Sequence, residues 1–101
     1  MPNSRILFRP VSRIGGLWEN FMLLERIKRQ AYRAVPVNFY FWRTWEGREI
    51  DLIEEREGRL FAYEFKWTGK GREPGKFREA YPDAEFEVVN RDNYLSFVGI
   101  P

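Results

Sequence analysis

A chain of 101 residues, 44% apolar and 18% aromatic, suffices for one globular domain with one core and is too short for two. It has no cysteine, which excludes disulfides, thiolate zinc sites and thiol nucleophiles, and no histidine, which excludes a serine–histidine relay and imidazole acid–base catalysis. The net charge of +2, with a pI of about 9.1, is mildly basic and far from the dense Lys/Arg run of a tail that coats nucleic acid.

Residues 1–14 contain Pro2 and Pro10 and read as an extended or loosely packed lead-in. Gly15-Gly16 then opens a helix predicted to run to about Arg33. Leu17, Phe21, Leu24, Lys28 and Ala31 lie along one stripe at three- and four-residue spacing, widened by Trp18, Ile27 and Tyr32. Pro36 ends the helical region. Residues 37–43 are rich in aromatics and read as a strand, closed by a turn at Trp45-Glu46-Gly47. Residues 49–54 and 59–67 read as two further strands across a short Arg56-Glu57-Gly58 turn. A glycine-rich loop over 68–75, a short helix over 76–81 stopped by Pro82, and a fourth strand over 85–90 follow. Residues 91–98 make a last helical turn or an edge strand. The order α-β-β-β-α-β predicts an α/β (α+β) domain with a mixed sheet flanked by helices, its core spanning 15–98. No apolar run reaches membrane-spanning length and the N-terminus lacks the apolar core of a signal peptide. A cytoplasmic protein with no membrane partner is therefore expected.

The chemistry concentrates on the second and third strands. Residues two apart on a strand share a face, so Glu49 goes with Asp51, and Glu64 with Lys66. Leu60 and Ala62 precede Glu64 and Lys66 on their face, which starts apolar and turns charged, while Tyr63, Phe65 and Trp67 alternate to the other side as core. A hairpin brings these acids and the lysine together, a constellation able to hold a divalent metal and activate water against a phosphodiester. With neither cysteine nor histidine, any metal has only oxygen ligands, which favour magnesium, calcium or manganese. Structural readings stand beside the functional ones. Asp51 is disfavoured in a strand interior, yet a pairing with Arg43 or Arg48 would explain it. Glu64 and Lys66 also suit a cross-strand ion pair, and Glu19 suits the first turn of any exposed helix. Glu49 is either exposed at the strand start or an outer member of the acid cluster.

Taken in order, Leu17-Trp-Glu-Asn-Phe21, Phe41-Trp-Arg43, Gly47-Arg-Glu-Ile-Asp-Leu52, Tyr63-Glu-Phe-Lys66, Pro82 and Val88-Val-Asn-Arg-Asp-Asn-Tyr94 carry a resemblance. The chain resembles the PD-(D/E)XK nuclease superfamily over about residues 15–98, and within it a C-terminal domain of unknown function of archaeal and bacterial AAA-type ATPases. The resemblance implies a restriction-endonuclease-like core and a catalytic set of Asp51, Glu64, Lys66 and Glu19. It implies that Asp51, Glu64, the Phe65 backbone carbonyl and Glu19 hold Mg²⁺ or Mn²⁺. Lys66 would orient the attacking water or stabilise developing charge. Arg26, Arg29, Lys70 and Arg72 are the candidates for phosphate contacts with DNA. A departure accompanies the match: no Gly-x-x-x-x-Gly-Lys-Ser/Thr loop is present to cradle ATP phosphates. Two functions are thus expected: a magnesium-dependent deoxyribonuclease, or a catalytically silent nuclease-fold module docking on an AAA-type ATPase domain. Trp42, Trp45 and Trp67 are the docking aromatics of the second reading, and a homodimer is compatible with either.

Overall fold

The computed structural model describes residues 5–7, by backbone, and residues 16–100. Eight elements follow one another: β1 (Arg5–Leu7), α1 (Leu17–Tyr32), β2 (Asn38–Arg43), β3 (Glu49–Arg56), β4 (Arg59–Phe65), α2 (Gly75–Ala80), β5 (Glu85–Val89) and α3 (Tyr94–Val98). The five strands form one mixed sheet in the order β1-β2-β3-β4-β5, antiparallel up to β4 and parallel between β4 and β5. The expected mixed sheet flanked by helices is what forms. The predicted lead-in differs in one respect: Arg5–Leu7 is an edge strand paired with Leu7 opposite Phe41. The remainder of that segment, 1–4 and 8–14, lies outside the described residues. The last segment resolves to helix rather than edge strand.

The β3–β4 hairpin shows local sequence at work. Its turn places both Glu57 (φ 51°) and Gly58 (φ 76°) at positive φ, as the tight two-residue connection of a twisted antiparallel pair requires. Alternation then sorts β4, sending Tyr63 and Phe65 to one face and Ala62 to the other. On the first face they meet Met22 and Leu23 of α1, Leu52, Val89, and Phe97 and Val98 of α3. On the second, Trp42, Ile50, Ile53 and Ala62 pack against Phe77, Tyr81 and Ala84 around α2.

Strand β3 breaks the alternation, because Ile50 and Ile53 both face α2. The register explains it. Tyr40 pairs with Ile53 and Trp42 with Ile50, so two steps along β2 span three along β3. The extra residue is a bulge at Asp51–Leu52, which re-aims the side chains there.

Helix α1 corrects the predicted stripe. Leu17, Phe21, Leu24 and Tyr32 are exposed, as are Lys28 and Ala31, whereas the buried line is Met22, Arg26 and Gln30, with Leu23 alongside. The spacing of four is helical, but two of its members are polar, so a reading by hydrophobicity lands on the neighbouring line. Their reason is Glu54, fully buried on β3 at 0% exposure. Arg26 grips it with two hydrogen bonds, Nε to Oε2 at 2.7 Å and Nη2 to Oε1 at 3.2 Å. Gln30 Nε2 donates to Oε1 at 2.9 Å, and Arg56 Nε lies 3.0 Å from that oxygen as an ion pair without hydrogen-bond alignment. Arg26 also donates to the Phe97 carbonyl at 2.9 Å and the Tyr63 hydroxyl at 3.3 Å, tying α1 to α3 and β4. Its guanidinium stands 4.4 Å from the centre of the Phe97 ring.

Removing one partner of a buried ion pair leaves an uncompensated charge, at a cost of about 3–5 kcal/mol. Glu54→Gln should therefore lower urea stability by that order. Glu54→Leu combined with Arg26→Met should cost less than the sum of the two single changes, and additive costs would show that the pair does not act as a unit.

Candidate active site

The bulge has its consequence at Asp51. Ladder pairing between β3 and β4 runs from Arg56–Arg59 to Leu52–Tyr63 and stops there. Strand β4 stays with β5 instead, through Phe65–Val89 and a Lys66 N–H to Val89 O bond of 2.9 Å. In the fork so formed, Asp51 Oδ2 accepts the Phe65 N–H at 2.8 Å, so a side chain takes the place of the missing ladder bond.

The acids crowd this fork. Burial, opposed by the Phe65 N–H and reinforced by the charges of Glu64, Glu49 and Glu19, pushes the Asp51 carboxyl up from its ordinary 3.8 to about 6. Burial also raises Glu64, against the pull of Lys66, Arg48 and the Arg72 backbone N–H. Two glycines make room for these side chains. A Cβ on Gly16 would collide with Glu19 Oε1 at the start of α1. A Cβ on Gly71 would come within 2.8 Å of Glu64 Oε2 and 2.7 Å of Val88 Cγ2, so the loop after β4 closes directly over Glu64.

The structural alternatives for Asp51 do not hold. Arg43 lies 3.7 Å from Glu49, Arg48 acts on Glu64, and no salt bridge to Asp51 forms among the described residues. The predicted set is brought to one end of the sheet: Asp51 and Glu64 at the fork, Glu19 and Glu49 within electrostatic reach of Asp51, and Lys66 exposed beside Glu64. It does not form a closed cage, since among the described residues no three acids stand close enough to hold a metal between them.

A hard divalent cation nonetheless suits the donors. All are oxygen, magnesium commonly takes one or two carboxylates and keeps its waters, and repulsion among clustered acids is what a cation relieves.

The expected phosphate contacts divide. Lys70 and Arg72 are exposed on the loop after β4. Arg26 is not a surface group: at 6% exposure its guanidinium is spent on Glu54, Tyr63 and Phe97. Arg29 is partly buried against α3, where a Cβ on Gly99 would meet its Cδ at 2.9 Å, and burial with the nearby Arg26 and Arg33 charges lowers its pKa. Among the docking aromatics, Trp42 is fully buried on the α2 face, while Trp45 and Trp67 are exposed. Sequence alone does not mark Gly71 or Arg48 as parts of the site; the Lys70-Gly71-Arg72 run, with a glycine between two cations, is the available signal for the first.

The sign of the Asp51 shift sets its pH dependence. A carboxyl whose pKa is raised on folding stabilises the fold fully below its ordinary value of 3.8, and that contribution is lost as pH rises through about 6. Ionised Asp51 thus costs the metal-free protein on the order of 2–3 kcal/mol. Asp51→Asn keeps an acceptor for the Phe65 N–H and removes the charge. Melting curves in EDTA should show the variant more stable than wild type at pH 7.5, with the advantage vanishing near pH 4. A variant much less stable at pH 7.5 would make Asp51 a structural anchor.

Beyond its own geometry, the chain has relatives. It is 29% identical over 83 residues to uncharacterized proteins of Mycobacterium bovis and Mycobacterium tuberculosis, covering 82% of this chain and 18% of each of theirs. The chain therefore spans less than a fifth of the length of these curated relatives. No solved structure matches it. Residues 14–98 match the family model described as Domain of unknown function (DUF4143), and the chain belongs to that family.

Proposed function

We propose that this domain is a metal-dependent nuclease-like unit of PD-(D/E)XK type that hydrolyses phosphodiester bonds of DNA. The observation that carries the reading is the fork itself. A half-buried, repelled Asp51 and the Glu64 carboxylate meet where β3 and β4 part, with Lys66 two residues beyond Glu64. Carboxyls raised by burial, as Asp51 and Glu64 are, with other acids close to Asp51, are characteristic of sites kept for chemistry rather than for stability.

Asp51 and Glu64 would hold Mg²⁺ or Mn²⁺, with the Phe65 carbonyl as a further oxygen and Glu19 acting directly or through water. The cation, when bound, supplies an acidified water and neutralises phosphate oxygens. Lys66 places an ammonium beside Glu64, suited to orienting the attacking water and to countering charge on the phosphorus oxygens. Lys70 and Arg72, exposed on the loop closing over Glu64, suit phosphate contacts that carry no base sequence. The Phe65 N–H fixes Asp51 before substrate arrives, which reduces the ordering left to be done on binding.

A second reading is a silent module that docks on an AAA-type ATPase domain. One observation favours it: Leu17, Phe21 and Leu24 form an exposed apolar ridge along α1. No helix among the described residues is long and apolar enough to cross a membrane, so that ridge is no transmembrane span.

Purified protein with Mn²⁺ should cut DNA, and EDTA should stop it. Lys66→Ala should lower the rate at least about 100-fold while sparing the Mn²⁺-induced rise in melting temperature, whereas Glu64→Ala should lose both. Cleavage insensitive to Lys66→Ala would indicate a contaminant, and a bound metal without cleavage of any DNA form would favour the docking module.

A further inference from the structure

The charges at the fork end of the sheet are sorted by face. Glu64 shares a face with Ala62, which packs toward α2, and so do Lys66 and Val88, the partner of Glu64 on β5. Arg48 stands on that face too, two residues before Ile50, which also packs against α2. Its backbone is fixed in the β2–β3 turn: the Arg48 N–H donates to Thr44 Oγ1 at 3.1 Å, and its carbonyl accepts the Thr44 N–H at 2.9 Å. The loop after β4 covers the same side, since a Cβ on Gly69 would stand 3.6 Å from Lys66 Cε and one on Gly71 would meet Glu64 and Val88.

On this side Glu46 is held by Lys76 and Glu73 by Arg78, while Arg48, Lys66, Lys70 and Arg72 are exposed and form no salt bridge among the described residues. Glu79 and Asp83 lie away from the fork, because α2 leads back to where β5 starts opposite Phe61. Asp51 sits in the gap itself, bonded to the Phe65 N–H. Counting it with Glu64, four free cations face two acids. The α1 side is different: Glu49 lies there beside Arg43, Glu19 enters from α1, and Arg91 and Asp92 offset each other in the turn leading to α3. A polyanion reaching the fork is drawn to the α2 side and turned away from the other.

The cations also bracket Glu64, Arg48 from β3 on one side and the Lys70-Gly71-Arg72 loop over Val88 on the other. Glu64 responds to both, through the Arg48 charge and the Arg72 backbone N–H. Strands β3 and β5 flank β4 about 10 Å apart, so the bracket spans about three nucleotides at roughly 3.4 Å each.

We propose that a nucleic-acid backbone crosses the fork on its α2 side, from Arg48 to the Lys70-Gly71-Arg72 loop, with Arg48 as a phosphate contact. The planar guanidinium fits phosphate oxygens in pairs. A strand laid between the two sets of cations has a phosphate over Glu64, where the hydrolytic reading needs one. The seating deepens that reading and rests on it only for the bond that is cut.

The test is fluorescence anisotropy with a labelled DNA duplex across a salt series in EDTA, which keeps cleavage out of the measurement. Arg48→Ala should weaken binding and reduce the steepness of log affinity against log salt by about 0.9, as one lost phosphate contact does. Arg48→Lys should restore that slope. Arg33→Ala removes the same charge at the far end of α1 and should leave the slope unchanged. Poly-glutamate at equal charge should not displace the duplex. If Arg48→Ala does not fold, Arg48→Gln carries the same expectation. An unchanged slope in the neutral Arg48 variant, an equal fall in Arg33→Ala, displacement by poly-glutamate, or no binding of DNA would each overturn the proposal. The two readings fail separately. Binding that depends on Arg48 without cleavage in Mn²⁺ overturns the hydrolytic one alone. Cleavage by Arg48→Ala with an unaltered KM overturns the seating alone.

Discussion

Glu54 is the residue around which this fold is arranged. A fully buried carboxylate is tolerable only when its lone pairs are filled and its charge is met, and here Arg26, Gln30 and Arg56 do both. The partners come from different parts of the chain, so the requirement is a geometric one. Arg26 and Gln30 sit four residues apart and reach the same carboxylate, which allows α1 only one rotation against the sheet. Arg26 then spans to the Phe97 carbonyl and fixes α3 as well. Apolar packing alone would leave more freedom, since both Met22 with Leu23 and the exposed Leu17, Phe21 and Leu24 line could cover a hydrophobic sheet. The polar pair selects between them.

That selection reaches the site. Glu19 lies seven residues, about two turns or roughly 10 Å, ahead of Arg26 on the same helix. Whatever rotates α1 about its axis carries Glu19 and Trp18 with it. The buried pair and the open acid cluster are thus two ends of one lever. Strand β3 has the same double character: Glu54 points inward and is fully matched, while Asp51, across the bulge, meets other acids and one backbone N–H. One carboxylate on the strand serves stability and the other is held against it.

Much of this was legible in the sequence, and the gaps have physical reasons. Turn chemistry at Glu57-Gly58, strand alternation around Tyr63 and Phe65, and the breaks at Pro36 and Pro82 are local effects, and the elements they predict form. The acid cluster was legible because Asp51 and Glu64 are anomalies on strands that otherwise read as core. The inward face of α1 was not legible. Its polar members look like surface residues until Glu54 is known to lie beneath them, and that contact crosses 28 residues of sequence. Arg26 reads as a surface cation suited to phosphate for the same reason. The bulge was hidden too, since one extra residue changes which face Ile50 occupies without changing the pattern of apolar letters.

The fork also explains how a small domain carries an unfavourable site. Both apolar clusters close without Asp51 or Glu64: one is sealed by α1 and α3 and the other by α2. The acids gather where the β3–β4 ladder has already ended, so their repulsion acts on a strand end and a glycine loop rather than on packed side chains. A cation entering there would relieve charge without having to reorganise either core. The Phe65 N–H keeps Asp51 in register meanwhile, and the Arg72 backbone holds Glu64 under the loop that Gly71 lets close over it. Stability and the strained cluster are therefore kept apart in space, and the helix that links them is held by the buried Arg26–Glu54 pair.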